Sequence, residues 1–183
     1  MGALALVPRK YLNWAYNTQP QSGLNGRRGY QPRGKVLGGS SAINAMIYAR
    51  GHRHDYDHWA ALGNPGWSFQ EVLPYFKRVE HNERGADDYH GVGGPLNVAD
   101  LRSPSSVSAA FVEAAQQCGI PYNPDFNGAE QEGAGFYQVT QKNGERCSAA
   151  RAFLTPVLNR PNLQVLTDAH TIRVVFEDKR AVG

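Results

Sequence analysis

The stretch Arg33-Gly34-Lys35-Val36-Leu37-Gly38-Gly39-Ser40-Ser41-Ala42-Ile43-Asn44 carries the residue types that suit an anionic, phosphate-bearing ligand. Gly38 and Gly39 have no Cβ, so backbone amides there can approach a ligand closely and either residue can take a positive φ. Ser40 or Ser41 can cap a following helix while offering a hydroxyl to phosphate or polyol oxygens. A helix starting there would add free N–H groups and a partial positive charge. Arg33 and Lys35 add attraction at longer range. The same Gly-Gly-Ser-Ser run also serves as a plain capped loop, and spacing alone does not separate the two readings.

Other clusters carry weaker chemistry. His52, His54 and His58 lie beside Asp55 and Asp57, a composition that divalent metals accept, but no Cys joins them and the spacing matches no familiar zinc pattern. The alternative is a solvated loop and helix surface. Trp14, Tyr16, Trp59 and Trp67 could cage a quaternary ammonium group, or, being dispersed over turns, pack interfaces. Cys118 falls on an apolar helical face and reads as core. Cys147 stands beside Arg146 near a helix start, where a structural role is favoured over a reactive one.

The elements that must position these residues interleave strands and helices, so the expected class is α/β, mixed α and β. Up to about Arg33 the chain is rich in Asn, Gln, Gly, Pro and Tyr and reads as extended chain and turns. Lys35–Leu37 reads as extended, followed by a tight turn and a helix over Ala42–Ala49. Gly63-Asn64-Pro65-Gly66-Trp67 is a turn, and Ser68-Phe69-Gln70-Glu71 is a capping box opening a helix with Val72, Phe76 and Val79 on one face; that helix is expected to survive Pro74. Pro95–Val98 alternates like an edge strand. A helix follows Pro104, with Val107, Ala110, Phe111, Ala114, Ala115 and Cys118 at helical spacing and Gly119 as its stop. Gly135–Gln141 reads as a strand that ends in the hairpin-type turn Lys142–Glu145, and one face of it is buried. Ser148 caps a short helix through Leu158. Leu163–Leu166 and Ile172–Phe176 read as strands, the second ending in a turn at Asp178–Arg180.

With 183 residues, 41% of them hydrophobic, the chain is long enough for one domain with a core and short for two. The 19 basic and 16 acidic residues give a net +3 spread along the chain, which does not point to nucleic acid. Two cysteines in no CxxC pattern fit reduced thiols, so the expected location is cytoplasmic, with peripheral membrane attachment left open. The apolar run Met1–Val7 is too short for a signal peptide or a transmembrane segment, and the Met-Gly start lacks the Ser or Thr of a myristoylation site.

Extended from Gly34 to Asp57, the run Gly34-Lys35-x-Leu37-Gly38-Gly39-Ser40-Ser41-x-Ile43-Asn44 with Tyr48, Gly51 and Asp57 resembles the first sequence pattern of the glucose-methanol-choline (GMC) oxidoreductases at every fixed position. The likeness extends to Asn13–Tyr16, Gly23–Arg27, Trp59, Gly63–Ser68 and Pro74–Phe76. It continues through His90-Gly91, Gly94–Leu96, Asp125–Gly128 and Asn143–Arg151, where the chain is similar to the choline dehydrogenase-like branch.

The resemblance implies an FAD-dependent oxidoreductase that oxidises a primary alcohol, choline-like or other, to an aldehyde by hydride transfer. It implies a partial FAD-binding domain in 1–60 and again in 148–183, and part of an antiparallel-sheet substrate domain in 61–147. Val36 and Asn44-Ala45-Met46-Ile47 would line the flavin ring, Gly38, Gly39, Ser40 and Ser41 would lie by the ribityl-pyrophosphate, and Thr171 would meet the adenine. Some members attach flavin through a His just before the Asn; Ile43 stands there, so FAD is expected to be noncovalent. The family's GxGxxG fingerprint does not precede Gly34, and its catalytic His lies beyond the match. The chain therefore reads as an internal fragment, inactive alone, whose partners are the rest of the same enzyme and a small alcohol. Outside the resemblance, two rivals remain: a non-enzymatic phosphate-ligand binding module and a His-based metal-binding protein.

Overall fold

Two helices are set by their caps. In the computed structural model, which describes residues 11–183, α1 (Arg53–Ala61) starts at His52, whose Nδ1 accepts from the His54 N–H at 3.1 Å while its own N–H donates to Asp55 at 2.8 Å. The readings made on Met1–Val7 lie outside the described residues. Helix α2 (Phe69–Val79) opens on the expected Ser68–Glu71 capping box, and an Asp57 oxygen from α1 accepts the Phe69 N–H at 2.9 Å. These carboxylates satisfy N–H groups that a helix start leaves unpaired. The helix continues through Pro74 as expected, and Tyr56 of α1 packs its ring against Phe69 and Phe76 of α2.

From α2 the chain runs directly into β3 (Glu80–Asn82), which pairs in parallel with β4 (Leu96–Val98) in the register Glu80↔Leu96. The strand at 95–98 is thus found, but with a parallel partner. The 83–95 connection carries no helix; Asp87 accepts the Tyr89 and His90 N–H groups, and Gly91 passes so close to α2 that a Cβ there would lie 1.9 Å from the Lys77 carbonyl oxygen. Helix α3 (Ser106–Gln117) follows, stopped by Gly119 at φ +85. Its expected apolar face is not core: Val107 and Phe111 are 77% and 72% exposed, Cys118 is exposed, and Val112 is the residue α3 buries. Periodicity identified the helix but not the side on which the chain packs.

Residues 135–140 form less strand than alternation suggests. Val139 bridges both Ile47 and Ala99, and the hairpin β5 (Gln141–Lys142) with β6 (Glu145–Arg146) turns through Asn143 and Gly144, both at positive φ. This is the conformation a two-residue hairpin loop requires. The segment after Ser148 is a wide π turn, Ala150–Leu154, running into the 3-10 turn Thr155–Val157.

Two expectations fail at the chain's ends. The first zone is not free of strands: β1 (Tyr16–Asn17) and β2 (Tyr30–Gln31) pair antiparallel. Conversely Leu163–Leu166 and Ile172–Val175 form no strand, and only β7 (Phe176–Glu177) and β8 (Arg180–Ala181) pair, about Asp178. A β-propensive run becomes a strand only with a neighbour to bond its backbone, and among the described residues the cross-strand bonds of these runs are limited to Val175, which meets Val182 and Gly183. The class is mixed α and β, with four two-stranded sheets among the described residues, three antiparallel and one parallel. No helix among the described residues is long and apolar enough to cross a membrane.

The interior is as polar as it is apolar. Val98, Val139, Ile43 and Phe69 are buried, but so are Arg50, Glu80, Asn82, His90, Asn127 and Gln138. At the centre Glu80, fully buried, accepts from Arg50 Nη2 at 2.9 Å, the Gly91 N–H at 3.0 Å and His90 Nδ1 at 2.9 Å. His90 Nε2 faces Asp125 at 2.9 Å. With a carboxylate at each ring nitrogen, His90 is an imidazolium donating on both sides. Asn82 then gives its amide hydrogens to Glu80 and Gln138.

Burial alone would lower the His90 pKa, but the hydrogen bonds to Asp125 and Glu80 and their charges outweigh it and raise it from 6.5 to about 9. Burial pushes Glu80 and Asp125 up; hydrogen bonds from His90 and from the Gly91 and Asn127 N–H groups, with the nearby cations, bring both below their ordinary values. A raised His contributes stability that is complete below 6.5 and is lost as pH rises through about 9, while the lowered carboxylates contribute above their ordinary range and lose it in acid. The melting temperature is therefore expected to peak between the ordinary carboxylate range and 6.5 and to fall toward pH 9, with the alkaline decline absent in His90→Gln. Glu80→Ala, which leaves Arg50 and His90 without their shared counter-ion, is expected to cost about 3–5 kcal/mol in urea denaturation. Of the two cysteines, Cys118 is expected to react with a thiol reagent in the folded state, and Cys147, 4% exposed, only after unfolding.

Candidate functional site

The loop from Gly34 to Ile47 is clamped from both ends. At its start, Asn13 Oδ1 accepts the Arg33 N–H at 2.8 Å, and the Lys35 N–H donates to the Leu12 carbonyl at 2.9 Å. The chain then turns at Val36, whose carbonyl accepts the Gly39 N–H at 2.8 Å, with Gly38 and Gly39 at φ +87 and +55. Gly34 lies against this turn; a Cβ there would sit 2.2 Å from the Gly39 carbonyl oxygen. The expected Gly-Gly turn is thus present, and a left-handed backbone explains both glycines.

The helix expected over Ala42–Ala49 is absent. One 3-10 turn, Gly39–Ala42, is followed by Met46 at φ +64 and by pairing with the strand-like 138–140 segment: the Tyr48 N–H donates to Gln138 O at 2.9 Å and the Thr140 N–H to Met46 O at 2.8 Å. Bonds to a distant segment replace the i→i−4 ladder, a tertiary override of a weak local preference. No helix therefore stands behind Gly-Gly-Ser-Ser to supply the N-terminal dipole on which a phosphate module would rely.

The Ser41 hydroxyl is engaged within the protein, donating to the Gly38 carbonyl and accepting the Ala149 N–H at 2.8 Å. Ser40 is exposed, and its Oγ accepts the Gly34 N–H at 3.3 Å. Arg146, from the β5–β6 hairpin, forks onto three oxygens of the loop: Nη1 donates to Ser41 O at 2.9 Å and Asn44 Oδ1 at 2.7 Å, and Nη2 to Asn44 O at 2.8 Å. The sequence reading missed this role. The only signal was Arg146 standing two residues after the Asn143-Gly144 turn and two residues before Ser148.

The loop opens on two grooves. Trp14, Lys35, Val36 and Leu37 face 166–170 across a groove of about 430 Å³, in which the His170 and Trp14 rings lie 5.0 Å apart; Thr171 is exposed and follows directly on that lining. On the far side Ala45 and Ile47 line an apolar groove of about 520 Å³ with Val107, Phe111, Tyr137 and Val139. Val36, Gly38, Gly39, Ser40, Ser41, Asn44, Ala45, Met46 and Ile47 thus share one continuous loop, and a segment more than 100 residues later borders its Val36 end.

The competing clusters have other occupations. His52 and Asp55 cap α1, the His54 and His58 rings stack 6.2 Å apart, and no group of three or more potential ligands among the described residues could hold a metal. The four aromatics separate into two pairs, Trp14 with Tyr16 and Trp59 with Trp67, and form no cage.

Comparison with known proteins gives the family. Residues 2–183 match the family described as GMC oxidoreductase. The chain is 51% identical to the alcohol dehydrogenase [acceptor] of Pseudomonas putida, covering all of this chain and 33% of that one. It is 47% identical to the oxygen-dependent choline dehydrogenase of Sinorhizobium fredii, covering 93% of this chain and 31% of that one. Among solved structures, pyridoxine 4-oxidase from Mesorbium loti superposes with TM-score 0.90 at 35% identity, over 98% of this chain and 36% of that chain. An FAD-dependent oxidoreductase from Chaetomium thermophilum superposes with TM-score 0.84 at 31% identity, over 94% of this chain and 32% of that chain. The chain spans about a third of the length of the curated relatives it matches. With the family match running over nearly its whole length, the chain belongs to the GMC oxidoreductases.

Proposed function

We propose that this chain is the part of an FAD-dependent oxidoreductase that holds the rear of the flavin site, in an enzyme that takes hydride from the carbinol carbon of a small primary alcohol and leaves an aldehyde. The observation that carries the reading is the clamped Gly34–Ile47 loop, coming from a chain whose relatives are alcohol and choline dehydrogenases. Its donor set fits the cofactor. The side of Gly39 that would bear a Cβ opens on empty space, the Ser40 hydroxyl is exposed, and the Asn44 amide hydrogens have no partner among the described residues. Bound FAD would supply the hydride-accepting ring.

In this reading Gly38, Gly39, Ser40 and Ser41 lie by the ribityl-pyrophosphate, Val36 and Asn44, Ala45, Met46 and Ile47 line the ring, and Thr171 meets the adenine. Ile43, at the position where some members bond flavin through His, is 6% exposed and has no nucleophilic atom, so the cofactor is noncovalent. The chain's residues bind and orient; none is assigned the proton removal. Residues 1–60 and 148–183 belong to the FAD-binding domain and 61–147 mainly to the substrate domain. This division is supported by the bond of Ala149 to Ser41 and by 166–170 lying along Val36. The partners are the alcohol and further segments of the enzyme. Two unpaired thiols are consistent with the cytoplasm, and nothing favours a nucleic-acid partner in a net charge of +3.

FAD titration, followed by flavin fluorescence and the visible spectrum, tests this on the chain alone and on a polypeptide extended to the length of its relatives. The extended form is expected to turn yellow and oxidise an alcohol, and the isolated chain to bind weakly. A colourless extended form would return Gly-Gly-Ser-Ser to a capped loop. Gly34→Ala, whose methyl would press on the Gly39 carbonyl, is expected to weaken FAD binding in the extended form at least tenfold, read by the same titration.

A further inference from the structure

Asn44 is held so that only one of its two amide orientations is allowed. Arg146 and the Met46 backbone N–H both donate to the same side-chain atom, at 2.7 and 3.0 Å. Arginine has donors and no acceptor, so that atom must be Oδ1, and Nδ2 with its two hydrogens must face the other way. The residue is exposed, and no group among the described residues receives those hydrogens.

Three further features single out the arrangement. The Arg146 guanidinium meets three neutral oxygens and no carboxylate among the described residues, although it is partly buried; Arg84 and Arg151, by contrast, each have an acidic partner. The bond from the Met46 N–H to Asn44 braces a non-glycine residue in the left-handed region, a conformation that costs energy and persists where surroundings impose it. Arg146 itself is placed by the β5–β6 hairpin, which closes through a two-residue turn of its own and is joined to the loop at Met46 through Thr140.

We infer that Arg146 is a positioning residue that locks the Asn44 carboxamide with its N–H donors turned outward, toward an acceptor atom on the edge of the bound flavin ring, a carbonyl oxygen or ring nitrogen. The inference rests on the FAD reading above and adds to it a residue outside the loop and a defined polarity for Asn44. Arg146 would act by holding Ser41 and Asn44, and its cation would add a fixed positive charge beside the cofactor's site.

Asn44→Asp separates this role from simple support. Its carboxylate still accepts from Arg146 and from the Met46 N–H, so the loop keeps its anchor, but no hydrogen is left to donate outward. The experiment uses the full-length gene product as wild type, Asn44→Asp, Arg146→Lys and Arg146→Gln. For each, the FAD dissociation constant, the flavin midpoint potential and the apoprotein melting temperature are measured. Asn44→Asp is expected to keep the wild-type melting temperature while binding FAD at least tenfold more weakly and with a lowered potential. Arg146→Lys, which restores the charge but not the fork, is expected to recover part of the potential and little of the affinity lost in Arg146→Gln. Wild-type affinity and potential in both Asn44→Asp and Arg146→Lys would make Arg146 a purely structural anchor and overturn the inference. A wild-type protein that binds no FAD would instead remove the functional reading, and the inference with it.

Discussion

A fully buried carboxylate has to be neutralised, and in this chain the requirement is met by residues brought from three other places. Glu80 sits where α2 becomes β3. Its partners are Arg50, thirty residues earlier, and His90 with the Gly91 N–H from the loop that returns to β4, and His90 in turn engages Asp125. Leaving such a charge uncompensated is far costlier than any single apolar contact, so these segments are tied into one arrangement. The parallel β3–β4 pair needs that tie. Its connection is short and irregular, and it closes only because His90 and Gly91 are held by Glu80 and because no side chain at Gly91 obstructs the approach to α2.

The same cluster reaches the functional loop. Asn82 and Gln138 exchange amide hydrogen bonds beside Glu80, and Gln138 presents its carbonyl to the Tyr48 N–H, fixing the path by which the loop leaves Met46. Behind Val139 the hairpin delivers Arg146 to the other side of that path. The loop is thus shaped by the frame on which it rests, and its two positive-φ glycines and left-handed Met46 are tolerated because bonds on both sides hold them.

Large apolar side chains remain exposed: Val107 and Phe111 on α3, Ile47 beside them, and the Trp59–Trp67 pair. The chain corresponds to about a third of its relatives' length, and an amphipathic element's apolar stripe can be read from its own sequence while its covering cannot. For that reason Cys118, on a face that periodicity marks as core, is exposed, whereas Cys147, with no periodic signal, is buried.

The sequence by itself determined what is local. Ser68–Glu71 announced α2, Gly119 ended α3, Asn143-Gly144 made a hairpin turn, and Gly38-Gly39 allowed a left-handed backbone, because each depends on bonds within a few residues. The ordered motifs from Gly34 to Arg151 also made the family legible. Only the tertiary structure decided the rest. The 42–49 segment abandoned a helix for bonds to 138–140, the runs at 163–166 and 172–175 formed no strand, and Arg146 acquired its hold on Asn44 across a hundred residues. In each case the deciding partner lies far along the chain, and its energy enters only once the chain has folded back on itself.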